Sequence, residues 1–515
     1  FILFMENTSA NNKRIAKNTL LLYFRMLLLM LIALYSSRVI LNALGVEDFG
    51  IFNVVGGLIS MFGIISGAIS AAITRFITFE LGKGDKEKLG MVFSSAVIIQ
   101  LLMCSAIILL AETIGLWFLN THMSFPESRA FATNVIYQVT IFTFCITLTN
   151  IPYNACIIAH EKMRAFAYIT IAEAVFKLLA ALAIVYVPFD KLISYTVLLL
   201  LGMILTRIMY MVYCLRHFEE THIHLKFDKS VLHDMFVYSG WTYIGASSAL
   251  LRDAGGNILI NIFYGPIANA ARGIGVQVQS AVSQFATNFM TALNPQIVKN
   301  YAIGNHEYVN LLLFYGSRFS YYVMLIFVIP IIINTPYILY LWLGQVPEYS
   351  VWFVRLALLF SISEAISQPL ITAASASGDI KGYQLLVGGI QSMNFPLSLL
   401  LLYWGLPPYI VYAVAICVSQ LCLAGRLYIL RGMIGLSAPR FIRQVYINIM
   451  AVTIVSLIIP VALQPYYPTG FMGFALSCIV CMLSVCLSIM YAGANKEERT
   501  KLFSFLKEKI KTIRK

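Results

Sequence analysis

Long uninterrupted apolar stretches run through this 515-residue chain and constrain its fold more than any other feature. About fourteen of them reach roughly 20 residues, which at about 1.5 Å per residue lets a helix cross the roughly 30 Å hydrocarbon core of a bilayer. None shows the polar–apolar alternation of a barrel strand. Since 60% of the residues are hydrophobic and only 11% are charged, the sequence predicts an all-α, polytopic membrane bundle.

The predicted spans form two sets of six and a final pair. Residues 215–233, the longest charged gap, predict a cytoplasmic linker between an N-terminal lobe (1–214) and a C-terminal lobe (234–431). Two extra helices follow within 432–494, and 495–515 predicts a basic amphipathic tail on the membrane surface. The spans are 20–43, 49–79, 89–112, 130–159, 165–187, 190–214, 234–263, 266–298, 308–333, 349–376, 383–403, 407–430, 443–463 and 470–493.

Basic residues are distributed unevenly between the gaps and predict the orientation in the membrane. Of the 36 Lys and Arg residues, Arg129 and Lys191 are the two in the gaps of one side, whereas the alternate gaps hold most of the others. By the positive-inside rule, both termini are expected in the cytoplasm. The net charge of +13 then indicates contact with anionic membrane lipids rather than with nucleic acid. The first residues show no cleavable-signal pattern, and Met5 is a candidate start.

A weak internal repeat relates the two sets of six spans. A shift of 220 positions sets Gly45 on Gly265 and Gly84 on Gly304. A shift of 217 positions sets the loop HEKMRAF on SGDIKGY. The same shift sets Pro152, in the span before the first loop, on Pro369, in the span before the second. Because six helices return the chain to its starting side, the two lobes are expected to be pseudo-symmetric about an axis along the membrane normal. The identity is low, and chance similarity is the alternative to duplication.

Three segments carry a resemblance to a known superfamily. They are RVILNALGVEDFGIFNVVGGLISMFGIISGAISAAITRFITFELGKGD, NIPYNACIIAHEKM and ARGIGVQVQSAVSQFATNFMTALNPQIVKNYA. They resemble polysaccharide transporters of the MATE-like multidrug/oligosaccharidyl-lipid/polysaccharide (MOP) exporter superfamily, and within it the bacterial O-antigen and capsule repeat-unit flippases. The resemblance implies an inner-membrane protein with two six-helix lobes around a central cavity, bordered by the first two helices of each lobe. It also implies alternating-access transport of undecaprenyl-pyrophosphate-linked oligosaccharide from the inner to the outer leaflet.

Several arginines lie inside the predicted spans, where removing a guanidinium from water costs free energy. Arg25, Arg75 and Arg207 are close to cytoplasmic helix ends and are expected to snorkel to lipid phosphates. Arg318 and Arg355 are weaker candidates for a functional site, because their helices are less clearly cavity-lining.

Arg38, Arg252 and Arg272 lie towards the outer ends of helices that the resemblance places at the cavity. A pyrophosphate is a multidentate anion, and arginine offers it a planar fork of donors that keeps its proton. These three residues therefore predict a substrate-binding site. Asp253 follows Arg252 directly, but adjacent residues on a helix point about 100° apart, so an ion pair between these two is not expected. Pairing with a residue of another helix is the alternative.

Amide side chains form one face of the eighth predicted span. Gln277, Gln284 and Asn288 are separated by seven and four residues, which places them on one side of a helix. Amides that face lipid are unfavourable, so this face is expected to point inward. Sugar hydroxyls of the substrate and polar groups of neighbouring helices are the two alternative partners.

Intramembrane carboxylates are the candidates for ion coupling. Glu173 lies one turn before Lys177, in the order that favours an ion pair, and the spacing within a span predicts that this pair is buried. The alternative is that Glu173 binds a coupling ion, H⁺ or Na⁺, because a carboxylate beside a charge can change occupancy between states. Glu364 is a further candidate. No aspartate lies in the middle of a helix in the first six spans, which differs from many cation-coupled drug exporters of the superfamily.

Other functions are less consistent with the sequence. A cation-coupled multidrug exporter of the same superfamily is the alternative, and it predicts an acidic, aromatic cavity. An enzyme is not expected, because the longest outer gap, ETIGLWFLNTHMSFPESR, holds one His and no acid–base constellation. No cofactor is expected. No metal site is expected either: Cys478 and Cys481 form a CxxC without a second ligand pair, which indicates helix packing.

Overall fold

The computed structural model describes residues 9–60, 63–122, 127–222, 229–344, 346–494 and 499. Throughout these ranges the regular elements are helices, and none is a strand, as the sequence predicts. The side chain of Arg38 lies outside the described residues, as do Met5 and all of the predicted tail 495–515 except residue 499.

The helices of the first half begin and end close to the predicted spans. Short π-helical and 3₁₀ segments extend some of them, at Ala111–Gly115, Glu127–Arg129 and Glu219–Thr221. The helices are α1 Ser9–Ser60, α2 Gly63–Lys83, α3 Lys86–Leu110, α4 Leu116–His122, α5 Ala130–Ala159, α6 Met163–Ala183 and α7 Lys191–His217.

The second half repeats this arrangement and adds two long helices at its end. The π-helical segments Gln384–Gly388, Ile442–Tyr446 and Ile489–Gly493 and the 3₁₀ turn Gln464–Tyr466 continue neighbouring helices. The helices are α8 Lys229–Ala302, α9 His306–Ile333, α10 Thr335–Leu343, α11 Ser350–Ala376, α12 Lys381–Tyr383, α13 Gly389–Ser392, α14 Asn394–Tyr403, α15 Ile410–Ile434, α16 Ala438–Phe441, α17 Ile447–Leu463 and α18 Phe471–Ser488.

Helix length and composition agree with a membrane protein that crosses the bilayer many times. Within the described ranges, 10 helical segments are long and apolar enough to span a membrane. The remaining predicted spans fall on α1, α2 and α8, so the total of about fourteen stays a prediction.

The two longest helices are each broken at a glycine, and the two breaks match in the internal repeat. Gly45 divides α1 with φ 78° and ψ 172°, and Gly265 divides α8 with φ 74° and ψ −172°. Residues with a Cβ rarely adopt this conformation. Gly84 and Gly304, the second matched pair, have φ of 79° and 74°. The repeat predicted from the sequence is therefore accompanied by the same backbone conformation at both pairs.

The second offset of the repeat also coincides with a shared turn. Pro152 lies inside α5 and its match Pro369 lies inside α11. In the loops that follow, Glu161 has φ 56° where the matched Gly378 has φ 84°. Both loops thus pass through the left-handed backbone region at the matched position, although only the second loop has a glycine there.

The described residues form two compact units. One comprises Leu20–Tyr243, and the other comprises Ile244–Lys515 with the segment before Leu20. The boundary lies within α8, just beyond the predicted linker 215–233, whose residues 223–228 are not described. The exact lobe limits of 214 and 234 stay predictions.

Each unit is organised around one proline-containing helix. In the first unit, α5 packs against α2, α3 and α7. In the second, α11 packs against α9 and α15, while α17 and α18 pack on each other and on α9. A hydrophobic core of this second unit contains Phe353 and Phe360 of α11. They pack with Tyr412 of α15 and with Ile260 and Ala271 of α8.

Arg129, one of the few basic residues in its set of predicted gaps, forms an ion cluster. Its guanidinium donates Nε to Asp48 at 2.7 Å and also pairs with Asp190. Asp48 follows the break in α1, and Asp190 caps the start of α7, accepting from the backbone amides of Leu192 and Ile193. Arg129 therefore ties three connections of the first unit together and is more than neutralised by its two partners.

Replacing Arg129 by glutamine is expected to lower the free energy of unfolding by roughly 1–3 kcal/mol, because two partly buried carboxylates lose their charged donor. Burial alone raises the pKa of Asp190, but the amide of Ile193 and the Arg129 guanidinium outweigh burial and hold this pKa below its ordinary value. The cluster should stabilise the protein above the ordinary pKa of an aspartate and lose its effect as the pH falls through the lower pKa of the folded state. Thermal unfolding of purified Arg129→Gln across acidic pH measures this. The control is Lys191→Gln, an exposed neighbour; equal melting temperatures for both variants would contradict the assignment.

Candidate functional site

Two of the three predicted substrate-binding arginines meet on α8 and share one carboxylate. Arg252 donates Nε and Nη2 to the two oxygens of Asp253, each at 2.9 Å. Nη2 of Arg272 lies 4.0 Å from Oδ1 of the same aspartate. Arg252 and Arg272 lie on opposite sides of the Gly265 break, so the turn brings them together. We call Arg252, Asp253 and Arg272 the arginine–aspartate cluster.

The prediction that Arg252 and Asp253 do not pair was wrong. The side chains do leave the helix in different directions, but the arginine stem is long enough to curve around the helix surface and present its fork to the carboxylate. The guanidinium also lies 4.8 Å from the centre of the Phe360 ring on α11, which restricts where the fork can point.

Arg272 is the buried member of the cluster. Its side chain is 6% exposed, against 18% for Arg252 and 59% for Asp253. It donates Nη1 to the side-chain oxygen of Asn257 and lies 5.9 Å from the ring of Tyr412. Gly256 borders the guanidinium, and a Cβ there would lie in ordinary van der Waals contact with its Nη2, at 3.4 Å.

Arg252 also borders a cavity of about 180 Å³ inside the second unit. Its other walls come from α8, α9 and α11, and the polar groups include Gln279, Ser283 and Thr287 of α8 and Glu364 of α11. The three α8 residues recur every fourth position, which is a helical face. This face was not among the predicted site residues, although its four-residue spacing is present in the sequence.

Glu364 is the carboxylate of this cavity and is held by a chain of hydrogen bonds. Ser419 of α15 donates to Glu364 Oε1 at 2.7 Å and also contacts Ser363 at 2.9 Å. Gln420 donates to Ser363 at 2.6 Å and accepts from Tyr446 at 3.0 Å. The structure therefore places one ion-coupling candidate, Glu364, in the same cavity as Arg252.

The predicted amide face does not line this cavity. Gln277 and Gln284 are exposed on α8, on a different side of the helix from Gln279 and Ser283. Asn288 is buried, 3% exposed, and donates to the backbone carbonyl of Gln284 at 2.8 Å. Substrate contact by these three amides stays a prediction.

Glu173 and Lys177 form the ion pair that their spacing predicts. Lys177 Nζ lies 2.6 Å from Glu173 Oε1. The side chains of Lys177 and Glu173 are 52% and 27% exposed, so, contrary to the prediction, the pair is not buried.

The structure describes the helix that carries Arg38, but not the side chain of Arg38. The structure therefore leaves the role of Arg38 as a prediction.

Arg318 and Arg355, the weaker candidates, bind the carbonyl ends of helices. Arg318 donates to the carbonyl of Gly493, which also accepts from Asn448. Arg355 donates Nε to the carbonyl of Ile332 at 3.1 Å. Unsatisfied carbonyls at helix C-termini favour cations. These two arginines thus hold helix ends in place, and Arg318 attaches the last two long helices to α9.

Each arginine that was expected to snorkel lies beside at least one aromatic ring. Arg75 is 9% exposed, so the expectation that it reaches lipid phosphates was wrong. Its guanidinium lies 4.5 Å and 4.6 Å from the rings of Phe79 and Phe76, a favourable arrangement for a cation. Arg207 lies 4.2 Å from the Tyr153 ring and Arg25 lies 4.5 Å from the Phe166 ring.

Solved structures with a similar fold are membrane transporters. A MATE protein in the bent conformation has a TM-score of 0.71 at 13% identity, over 83% of this chain and 96% of that one. An outward-facing multidrug resistance MATE transporter of the MOP superfamily has a TM-score of 0.70 at 14% identity, covering 82% and 96%. A MOP superfamily transporter from Pyrococcus furiosus, described as having a binding pocket of reverse polarity, has a TM-score of 0.67 at 15% identity, covering 81% and 96%.

At these identities the similarity establishes the fold, which is MATE-like. No curated protein matches the sequence. The family of polysaccharide biosynthesis proteins matches residues 15–301, more than half of the chain. The chain belongs to the family of polysaccharide biosynthesis proteins.

Proposed function

We propose that the protein is a flippase that moves undecaprenyl-pyrophosphate-linked oligosaccharide, an O-antigen or capsule repeat unit, from the inner to the outer leaflet by alternating access. The arginine–aspartate cluster is the observation that carries this proposal. Oδ1 of Asp253 lies within ion-pair distance of the Arg272 guanidinium and accepts a hydrogen bond from Nε of Arg252. An oxygen of a pyrophosphate placed there reaches both guanidinium groups without further exposure of Arg272.

Charge and family support an anionic lipid substrate. The cluster holds two permanent positive charges and one carboxylate, so it keeps a net positive charge that an anion can balance. The family name refers to polysaccharide biosynthesis, in which sugars are carried across the membrane on such lipids. The pocket of reverse polarity described for the Pyrococcus furiosus transporter supports the view that the polarity of the binding pocket varies within this fold.

The remaining partners follow from the same proposal. Glu364 is the proposed site of a coupling ion, H⁺ or Na⁺, because it is a carboxylate inside a membrane cavity beside an arginine. Loops rich in Lys and Arg would contact anionic lipids of the bacterial inner membrane, with both termini in the cytoplasm. Glu364 also favours the second candidate, a cation-coupled multidrug exporter of the same superfamily.

Deletion of the gene in its bacterium tests the proposed function. We expect loss of surface polysaccharide and accumulation of undecaprenyl-pyrophosphate-linked repeat units, measured by mass spectrometry of lipid extracts. A plasmid copy should reverse both effects. Unchanged lipid-linked intermediates together with reduced dye efflux would support the multidrug exporter instead.

A further inference from the structure

Asp253 occupies the place that the proposed substrate anion would take. Its two carboxylate oxygens accept the Arg252 fork at 2.9 Å, in the geometry with which arginine also binds phosphate. One of these oxygens is within 4.0 Å of Arg272. A phosphate group and Asp253 would therefore compete for the same donors.

The cluster is accessible from the side of the aspartate. The Asp253 side chain is 59% exposed, whereas the side chains of its two arginine partners are 18% and 6% exposed. Nε of Arg272 is buried and makes no hydrogen bond within the part of the chain that the structure describes. The arginines are thus held behind the carboxylate, and Arg272 keeps an unused donor.

We propose that Asp253 is an internal competitor of the substrate pyrophosphate: it occupies the arginine pair when the site is empty, yields it to the anion, and reclaims it on release. This inference rests on the proposed function. A tethered carboxylate is always present at high effective concentration. It weakens binding of the anion, and in return it keeps the buried guanidinium of Arg272 paired and speeds release of a multiply charged ligand.

If Asp253 competes with the substrate, its replacement should tighten binding of the anion, whereas a purely structural role predicts weaker binding. Removing the charge in Asp253→Asn should tighten binding of undecaprenyl pyrophosphate by about tenfold, because a bidentate charged hydrogen-bond pair no longer has to be broken. Arg252→Gln and Arg272→Gln should each weaken binding by about tenfold or more. A residue that merely supports the fold would weaken binding when replaced.

Binding can be measured on the purified full-length protein in phosphatidylcholine nanodiscs. The probes are undecaprenyl pyrophosphate, inorganic pyrophosphate and undecaprenol, which separate recognition of the headgroup from recognition of the lipid. Asp234→Asn is the matched control, because Asp234 is on the same helix and its side chain is 61% exposed, close to the 59% of Asp253. The expected order of affinity for both pyrophosphates is Asp253→Asn, then wild type and Asp234→Asn, then the arginine variants.

Ligand-induced stabilisation gives a second readout if Asp253→Asn is less stable. Loss of its pairing should lower the melting temperature of the empty protein, and saturating undecaprenyl pyrophosphate should raise that temperature more than in wild type. Undecaprenol should have the same effect on both proteins.

The outcomes separate this inference from the proposed function. Weaker or unchanged binding by Asp253→Asn, with weakened arginine variants, overturns the competitor and leaves the anion site intact. Unchanged binding by the arginine variants overturns the anion site and the competitor together. A response to inorganic pyrophosphate alone would overturn the lipid-linked substrate.

Discussion

Replacing Arg252 and Arg272 together by glutamine is expected to reduce surface polysaccharide by about 100-fold or more. Each substitution removes a charged donor from the site where the pyrophosphate is proposed to bind, and each such loss corresponds to roughly tenfold or more in binding. Because both guanidinium groups approach the same oxygen position at Asp253, either one alone should retain part of the activity. The double variant should retain almost none.

The measurement is surface polysaccharide in a deletion strain that carries each variant on a plasmid, together with the amount of protein in the membrane. Arg431→Gln is the control, an exposed arginine near the end of α15. Arg272 is buried and bonded to Asn257, so the melting temperature of the purified double variant must be checked as well. Normal polysaccharide in cells with the double variant would exclude the arginine–aspartate cluster as the substrate site.

Replacing Glu364 by glutamine is expected to remove the acceleration of transport by an ion gradient, a decrease of about tenfold or more. A carboxylate within the membrane costs free energy unless it is paired or changes its occupancy during function. Glu364 accepts from Ser419 at 2.7 Å and shares a cavity with Arg252. Glutamine keeps the size and the acceptor oxygen but cannot bind a proton or balance the charge of Na⁺.

Proteoliposomes with purified protein allow H⁺ and Na⁺ gradients to be imposed separately while translocation of the lipid-linked oligosaccharide is followed. Glu173→Gln is the comparison, because Glu173 is the other coupling candidate and pairs with a half-exposed Lys177. If Glu364→Gln still responds to the gradient and Glu173→Gln does not, Glu173 is the coupling residue. Binding of undecaprenyl pyrophosphate by Glu364→Gln should stay close to wild type.

The internal repeat shows how far local sequence determines the structure. Gly45 and Gly265 were matched from letters alone, and both break a helix with nearly the same positive φ. Such a backbone conformation depends on the residue itself, since only glycine adopts it freely. The pairing of Glu173 with Lys177 is equally local, because residues four apart are neighbours on any helix.

Contacts between helices could not be predicted in the same way. The sequence indicated the polar residues of the eighth span but selected the face with Gln277 and Gln284, whereas Gln279 and Ser283 line the cavity with Arg252. Successive side chains on a helix point about 100° apart. The rotation of the helix about its own axis, which decides which of them face a cavity, is not fixed by local sequence. Likewise, the guanidinium of Arg75 lies beside three aromatic rings, and one of them belongs to Tyr238, which is distant in the sequence.

The sequence by itself determined that this chain is a bundle of membrane helices with matched glycine breaks, because apolar length and the backbone conformation of glycine are local properties. Only the tertiary structure decided which polar groups meet. It joined Arg252 and Arg272 through Asp253 and placed Glu364 beside Ser419 and Arg252. The physical reason is that inside a membrane the position of each charge depends on the partner that neighbouring helices supply.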